Sequence, residues 1–182
     1  TRLFPGARFG PIRGNIETRL RKLDTGEFDA LVLAAAGLIR LGYGSLISAA
    51  LPVNTCVPAP GQGIIAVEIR STDTTTASII GKIGDPIAAA ALTAERVVVT
   101  RLGGGCQMPI GAYAVASEHG LTMTAVVVSM DGARAARAET GGLPTEAELV
   151  GARVAEQLLE RGAANILAEV EMVRSGIEEQ QP

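Results

Sequence analysis

Apolar residues recur at helical spacing at Ile16, Leu20 and Leu23, behind an asparagine, Asn15, that suits an N-cap and ahead of Gly26, where a left-handed C-terminal residue belongs. The next apolar stretch, Phe28 to Leu33 (FDALVL), is short and nearly continuous, which predicts a buried strand. A helical AAAGLIRLG closed by Gly42 follows it, so this part of the chain reads as an α/β unit. Leu51 to Gly63 (LPVNTCVPAPGQG) breaks the pattern with three prolines and two glycines and reads as a linker or crossing segment, after which Ile64 to Arg70 (IIAVEIR) predicts a second strand.

Beyond residue 84 the pattern changes. Asp85 and Pro86 fill the N-cap and first-turn positions of a long helix running to about Leu102, where Gly103–Gly105 ends it. From Gly111 to Thr140 three strand-like stretches are separated by His119-Gly120 and Asp131-Gly132, both hairpin signals, which predicts an antiparallel meander. Thr145 and Glu148 have the spacing of a capping box for a helix carrying Leu149, Val154 and Leu158 and ended by Gly162. A last helix is expected from Ala163 to about Val173. The second half is a small α+β domain, and there is no internal repeat.

Composition narrows the class of protein. Of 182 residues, 47% are apolar and 3% aromatic, with no tryptophan, so a folded core packed from small aliphatic side chains is expected. A formal net charge of -3 argues against a broad electrostatic footprint for nucleic acid or an anionic membrane. No apolar run approaches the roughly 20 residues of a membrane span, and no signal-peptide order opens the chain, so the cytoplasm is the expected location. Two cysteines, Cys56 and Cys106, sit in no metal-ligand spacing, and no metal site is expected. The chain opens at Thr1 with no clear element start, which reads as a fragment lacking an upstream segment.

Candidate chemistry concentrates in a few positions. Arg13 precedes a predicted helix, Arg19 lies within it and Arg40 stands near a helix C-terminus. Guanidinium forks at element ends suit carboxylates, although spacing alone favours ordinary surface or salt-bridged arginines. The PAPGQG stretch lacks both the Lys-Ser/Thr ending of a P-loop and the GxGxxG spacing of a dinucleotide fold, and reads as a tight crossing between domains. Cys106, in GGGCQMPIG, is displayed on a glycine loop where a thiol is accessible, with an idle free thiol as the plainer alternative. The single histidine, His119, falls at a hairpin tip and reads as a solvated turn residue.

Taken together, RGNIETRLRKLDTGEFDALVLAAAGLIRLG, PAPGQGIIAVEIR and TAERVVVTRLGGGCQMPIGAYA follow one another in an order and spacing that resemble the porphobilinogen deaminases over nearly the whole chain. The resemblance implies a hydroxymethylbilane synthase of tetrapyrrole (heme) biosynthesis, condensing four porphobilinogen units, with release of ammonia, on a cysteine-tethered dipyrromethane primer. It implies that Cys106 bears that cofactor through a thioether. It further implies that Arg13, Arg19 and Arg40 bind the acetate and propionate groups of cofactor and growing chain, and that Gln62 lies near the cleft. The family's N-terminal domain, its catalytic aspartate and its serine-rich double-arginine motif have no counterpart, so no catalytic residue is expected on this chain and the chain alone is expected to be inactive.

The fold implied is α/β plus α+β, part of a periplasmic-binding-protein-like α/β domain followed by a small domain with a three-stranded antiparallel sheet and helices. Residues 1–57 are expected to be the later part of the second α/β domain, 58–84 a crossing segment and strand belonging to the first, and 85–182 the C-terminal α+β cofactor-attachment domain. Porphobilinogen and oligopyrrole intermediates are the expected partners, in an enzyme that is monomeric when complete. Two alternatives stay open: a non-catalytic binding module for small carboxylates, or one piece of a split enzyme that needs its N-terminal part.

Overall fold

A computed structural model describes residues 4–105 and 108–178, the last five of these by their backbone alone. The chain divides into two compact units, Thr1–Thr55 and Cys56–Pro182.

In the first unit, helix α1 (Ile16–Asp24) starts where Asn15 accepts a hydrogen bond from the Thr18 amide through its side chain, and it ends ahead of Gly26, whose φ of 74° is left-handed. Helix α2 (Ala35–Arg40) is short and closes at Gly42, φ 79°. Both helices follow the expected pattern because their caps are local. The strand expected over Phe28 to Leu33 does not form. That stretch is extended, but no ladder partner stands beside it among the described residues, and Val32 is 68% exposed. A strand is completed by its neighbour's amides and carbonyls, and this unit offers none.

The second unit carries a two-layer core. Helix α3 (Thr74–Ile80), which the β-branched TTT run hides from a pattern reading, is capped by Asp73 accepting from the Thr76 amide. Helix α4 (Pro86–Arg101) begins as expected, Asp85 accepting from the amides of Ile87 and Ala88, and the chain turns away at Gly103, φ 66°. The meander follows: β1 (Ile110–Ser117), β2 (Gly120–Val128) and β3 (Ala135–Gly142) pair antiparallel in the order β1-β2-β3. Ala112 opposes Ala125, and Ala125 opposes Ala138, so one face of the sheet presents a row of small residues. Helices α5 (Ala147–Glu160) and α6 (Ala163–Glu178) complete the layer.

The core is built from Ala94, Val98, Leu121, Met123, Val127, Val150, Val154 and Leu158, all essentially inaccessible. Small side chains let backbones approach closely. At Gly151, a Cβ would lie 2.5 Å from the Ala94 carbonyl oxygen, so α4 and α5 touch backbone to backbone there. The resulting architecture mixes helices with one three-stranded antiparallel sheet.

Three details depart from the pattern reading. The strand expected over Ile64 to Arg70 does not form, with Ile65 70% and Val67 52% exposed, again because among the described residues no neighbouring strand receives it. The capping box is displaced from Thr145 and Glu148. Pro144, with its fixed φ, opens a 3₁₀ turn over Pro144–Glu146, so Glu146 is the residue that reaches back to the Leu143 amide. Helix α5 then begins at Ala147 with Val150 buried and Leu149 turned outward. In the first hairpin the two loop residues are Glu118 and His119, with Gly120 already in β2, while the second turns through Gly132, φ 74°.

Candidate functional site

The first cluster grows from the RGN sequence. Gly14 adopts φ 113°, and a Cβ there would lie 2.9 Å from Cγ2 of Thr18, so glycine alone fits between Arg13 and the helix cap. The Arg19 side chain runs back along α1 and its Nε donates to the Gly14 carbonyl oxygen at 2.8 Å. That bond holds the guanidinium beside the backbone of the Arg13-Gly14 turn and engages Nε rather than the paired Nη groups that form the carboxylate-binding fork. Arg13 itself is exposed, immediately before the turn.

Helix α2 packs against the start of α1, where a Cβ on Gly37 would lie 3.2 Å from Cδ1 of Ile16. Arg40 stands one turn beyond Gly37, at the exposed end of α2. The Tyr43 hydroxyl donates to Glu17 Oε1 at 3.4 Å, a further link from the segment after α2 to the first turn of α1. The structure therefore brings Arg13 and Arg19 to one turn and places Arg40 on the helix packed against it.

The second cluster lies in the other unit. Pro60 to Gly63 makes a tight turn in which the Gln62 amide donates to the Ala59 carbonyl oxygen at 3.1 Å and Gly61 takes φ 71°. The Gln62 side chain is exposed. Under this turn sits Glu95, only 6% exposed, on α4. Its Oε2 accepts from the Gly61 amide at 2.7 Å and its Oε1 from the Ala114 amide of β1 at 2.8 Å. Burial pushes the Glu95 carboxyl above its ordinary range, with the Gly61 and Ala114 amides pulling the other way.

Glu95 was not a candidate from sequence, because a glutamate inside an AER helical run looks like any solvated helix residue. The only local hint was its place on the otherwise apolar face of Ala91, Ala94 and Val98.

Cys106 and Gln107 lie outside the described residues, so the expectation for Cys106 concerns a position whose flanks alone are seen. Gly104 is tightly enclosed, a Cβ there falling 2.5 Å from Cδ1 of Ile110, and its amide donates to the Val99 carbonyl oxygen. Gly105 accepts from the Met108 amide. The loop therefore leaves α4 and enters β1 between fixed ends. Cys56 is a half-buried free thiol, and His119 is exposed at the hairpin tip. Among the described residues no group of three or more His, Cys, Asp or Glu could hold a metal ion, and no helix is long and apolar enough to cross a membrane.

Elsewhere the charged groups hold structure together. In the β2–β3 turn the Ser129 hydroxyl donates to Asp131 at 2.5 Å, and this bond, more than that from the Ala133 amide, keeps the Asp131 carboxyl below its usual range. Arg134 reaches from the same turn to Glu169 of α6 through both Nη groups.

The family model described as porphobilinogen deaminase, dipyromethane cofactor binding domain, matches residues 1–78, and that described as porphobilinogen deaminase, C-terminal domain, matches residues 89–160. They define a transferase of tetrapyrrole biosynthesis that uses a dipyrromethane cofactor. The chain belongs to the porphobilinogen deaminase family, the hydroxymethylbilane synthases.

Proposed function

We propose that within this hydroxymethylbilane synthase Cys106 carries the dipyrromethane cofactor as a thioether, that Arg13, Arg19 and Arg40 neutralise the carboxylates of the cofactor and of the growing oligopyrrole, and that Gln62 borders the same cleft. The observation that carries the reading is the Arg19–Gly14 bond. It orients one guanidinium beside Arg13 while engaging only Nε, a donor set whose charge and planar geometry fit paired carboxylates.

Each pyrrole ring brings two carboxylates, so a chain of net charge -3 needs a local cluster of cations to hold such a ligand. A tether at Cys106 makes each condensation effectively intramolecular, because one reactant is already in place. In the attachment the sulfur–carbon bond replaces the carbon–nitrogen bond of porphobilinogen's aminomethyl group, and the thiol proton leaves with ammonia as ammonium. When bound, the cofactor supplies the nucleophilic pyrrole carbon that starts the chain. The residues on this chain bind and orient.

We place the enzyme in the cytoplasm, in heme formation, as a monomer when complete. The periplasmic-binding-protein-like α/β domain, with 58–84 returning to a neighbouring domain and 85–182 serving as the attachment domain, is the architecture that goes with this reading.

The test is mass spectrometry of the complete enzyme carrying this sequence. The parent should show an adduct of two condensed pyrrole units that maps to Cys106, and Cys106→Ser should lack it. An adduct that persists in the variant, or maps to Cys56, refutes the assignment.

A further inference from the structure

On a β-strand at the edge of a sheet, alternate amides point away from the partner strand and need acceptors. The outward amides of β1 include those of Ala112 and Ala114. The Ala112 amide donates to the Pro58 carbonyl oxygen at 3.0 Å, and the Ala114 amide to Glu95. A carboxylate thus stands where the next acceptor of a fourth strand would be. Its second oxygen turns the other way and takes the Gly61 amide. One buried side chain joins three elements that are far apart in sequence: α4, β1 and the turn bearing Gln62. The space above it is close, since a Cβ on Gly61 would lie 3.3 Å from Cδ1 of Leu92 and one on Gly111 2.7 Å from the Val57 carbonyl oxygen.

Helix α4 and β1 are also the two elements between which the Cys106 loop runs. We propose that Glu95 is a positioning residue for Gln62: its carboxylate clamps the Gly61–Gln62 turn to α4 and β1 and so sets where Gln62 stands. The inference rests on the reading that Cys106 and Gln62 serve the cofactor.

Glu95→Gln keeps the size of the side chain but turns an amide nitrogen toward one of the two backbone donors. Glu95→Asp keeps the charge and is too short to span both. Hydrogen exchange is followed on the 182-residue chain in the parent and both variants. Amides of Gly61, Gln62 and Gly63 and of Ala112 and Ala114 should exchange about ten-fold faster or more in each variant, the scale set by leaving a buried donor unpaired. Amides of Leu121 to Val127 should keep the parent's rates. Unchanged exchange at Gly61, or a uniform rise across the sheet, overturns the clamp and leaves Glu95 a general stabiliser.

The second arm measures the fraction of complete enzyme bearing the cofactor adduct in Glu95→Gln, Glu95→Asp and Gln62→Ala. Reduced loading in all three supports the proposal. Reduced loading in Gln62→Ala with normal loading in both Glu95 variants overturns the positioning role alone. Normal loading in all three removes Gln62 from the site, and the positioning role falls with it.

Discussion

The Nε of Arg19 donates to the carbonyl oxygen of Gly14, 2.8 Å away, so a residue on the second turn of α1 is fastened to the turn that precedes the helix. The bond depends on Gly14 holding φ 113°, and it gives the guanidinium a defined direction.

Arg19→Lys keeps the charge but has neither the Nε bond nor the fork. Losing a charged hydrogen-bonding partner costs roughly 1.5 to 3 kcal/mol, about ten-fold to over a hundred-fold in binding. Cofactor loading and turnover of the complete enzyme should fall within that span in Arg19→Lys and also in Arg13→Lys. Parent-like values in both would return these residues to the ordinary protein surface.

Gly14→Ala and Gly26→Ala make a matched pair. Both positions are left-handed, but only at Gly14 would the new methyl meet a neighbour, Thr18, while at Gly26 nothing lies within 4 Å. Gly26→Ala should cost about 1–2 kcal/mol, the left-handed penalty alone. Gly14→Ala should cost more, and it should also release the Thr18 amide from its cap, visible as faster exchange at that amide. Equal costs with an intact cap would contradict the geometry.

Gly151→Ala tests the contact between α4 and α5. The methyl would sit 2.5 Å from the Ala94 carbonyl oxygen and 2.9 Å from Cβ of Val97, neither of which can swing away. Overpacking of this kind costs about 1–3 kcal/mol. Denaturant titration of the variant should show a lower midpoint with an unchanged slope; an unchanged midpoint would mean that the helices separate freely.

The pH dependence assigned to Glu95 has a definite sign. Burial raises its carboxyl above the ordinary 4.5, so the folded chain holds the proton more tightly than the unfolded chain. Its contribution to stability is fully present below that ordinary value and is lost as pH rises through the folded-state value. Unfolding free energies measured from about pH 4 to about pH 8 should show the parent losing ground to Glu95→Gln as pH rises. A difference that stays flat, or slopes the other way, would show that the two amide bonds outweigh burial.

What could be read from the sequence was whatever a few consecutive residues decide among themselves. Asn15 caps α1 and Asp85 caps α4 because the acceptor and the amides it serves are at most three residues apart. Gly26, Gly42 and Gly103 end helices because their backbones turn left-handed at no steric cost, and Asp131-Gly132 closes a hairpin for the same reason. The two hairpin signals placed the three strands of the meander, since each strand finds its partner across a short turn.

Where the partner is remote, the pattern fell short. FDALVL and IIAVEIR have the composition of buried strands but find no ladder partner among the described residues, because a strand exists only with a neighbour to bond. The capping box moved from Thr145 to Leu143 and Glu146 once Pro144 started the turn early. The three arginines could be named from the resemblance their motifs carry, but only the folded chain shows Arg19 tied to Gly14. Glu95 is the clearest case. Its neighbours on the helix, Ala91, Ala94 and Val98, give no more than an apolar face, because its partners, Gly61 and Ala114, lie 34 and 19 residues away and reach it only when α4, β1 and the crossing segment pack together.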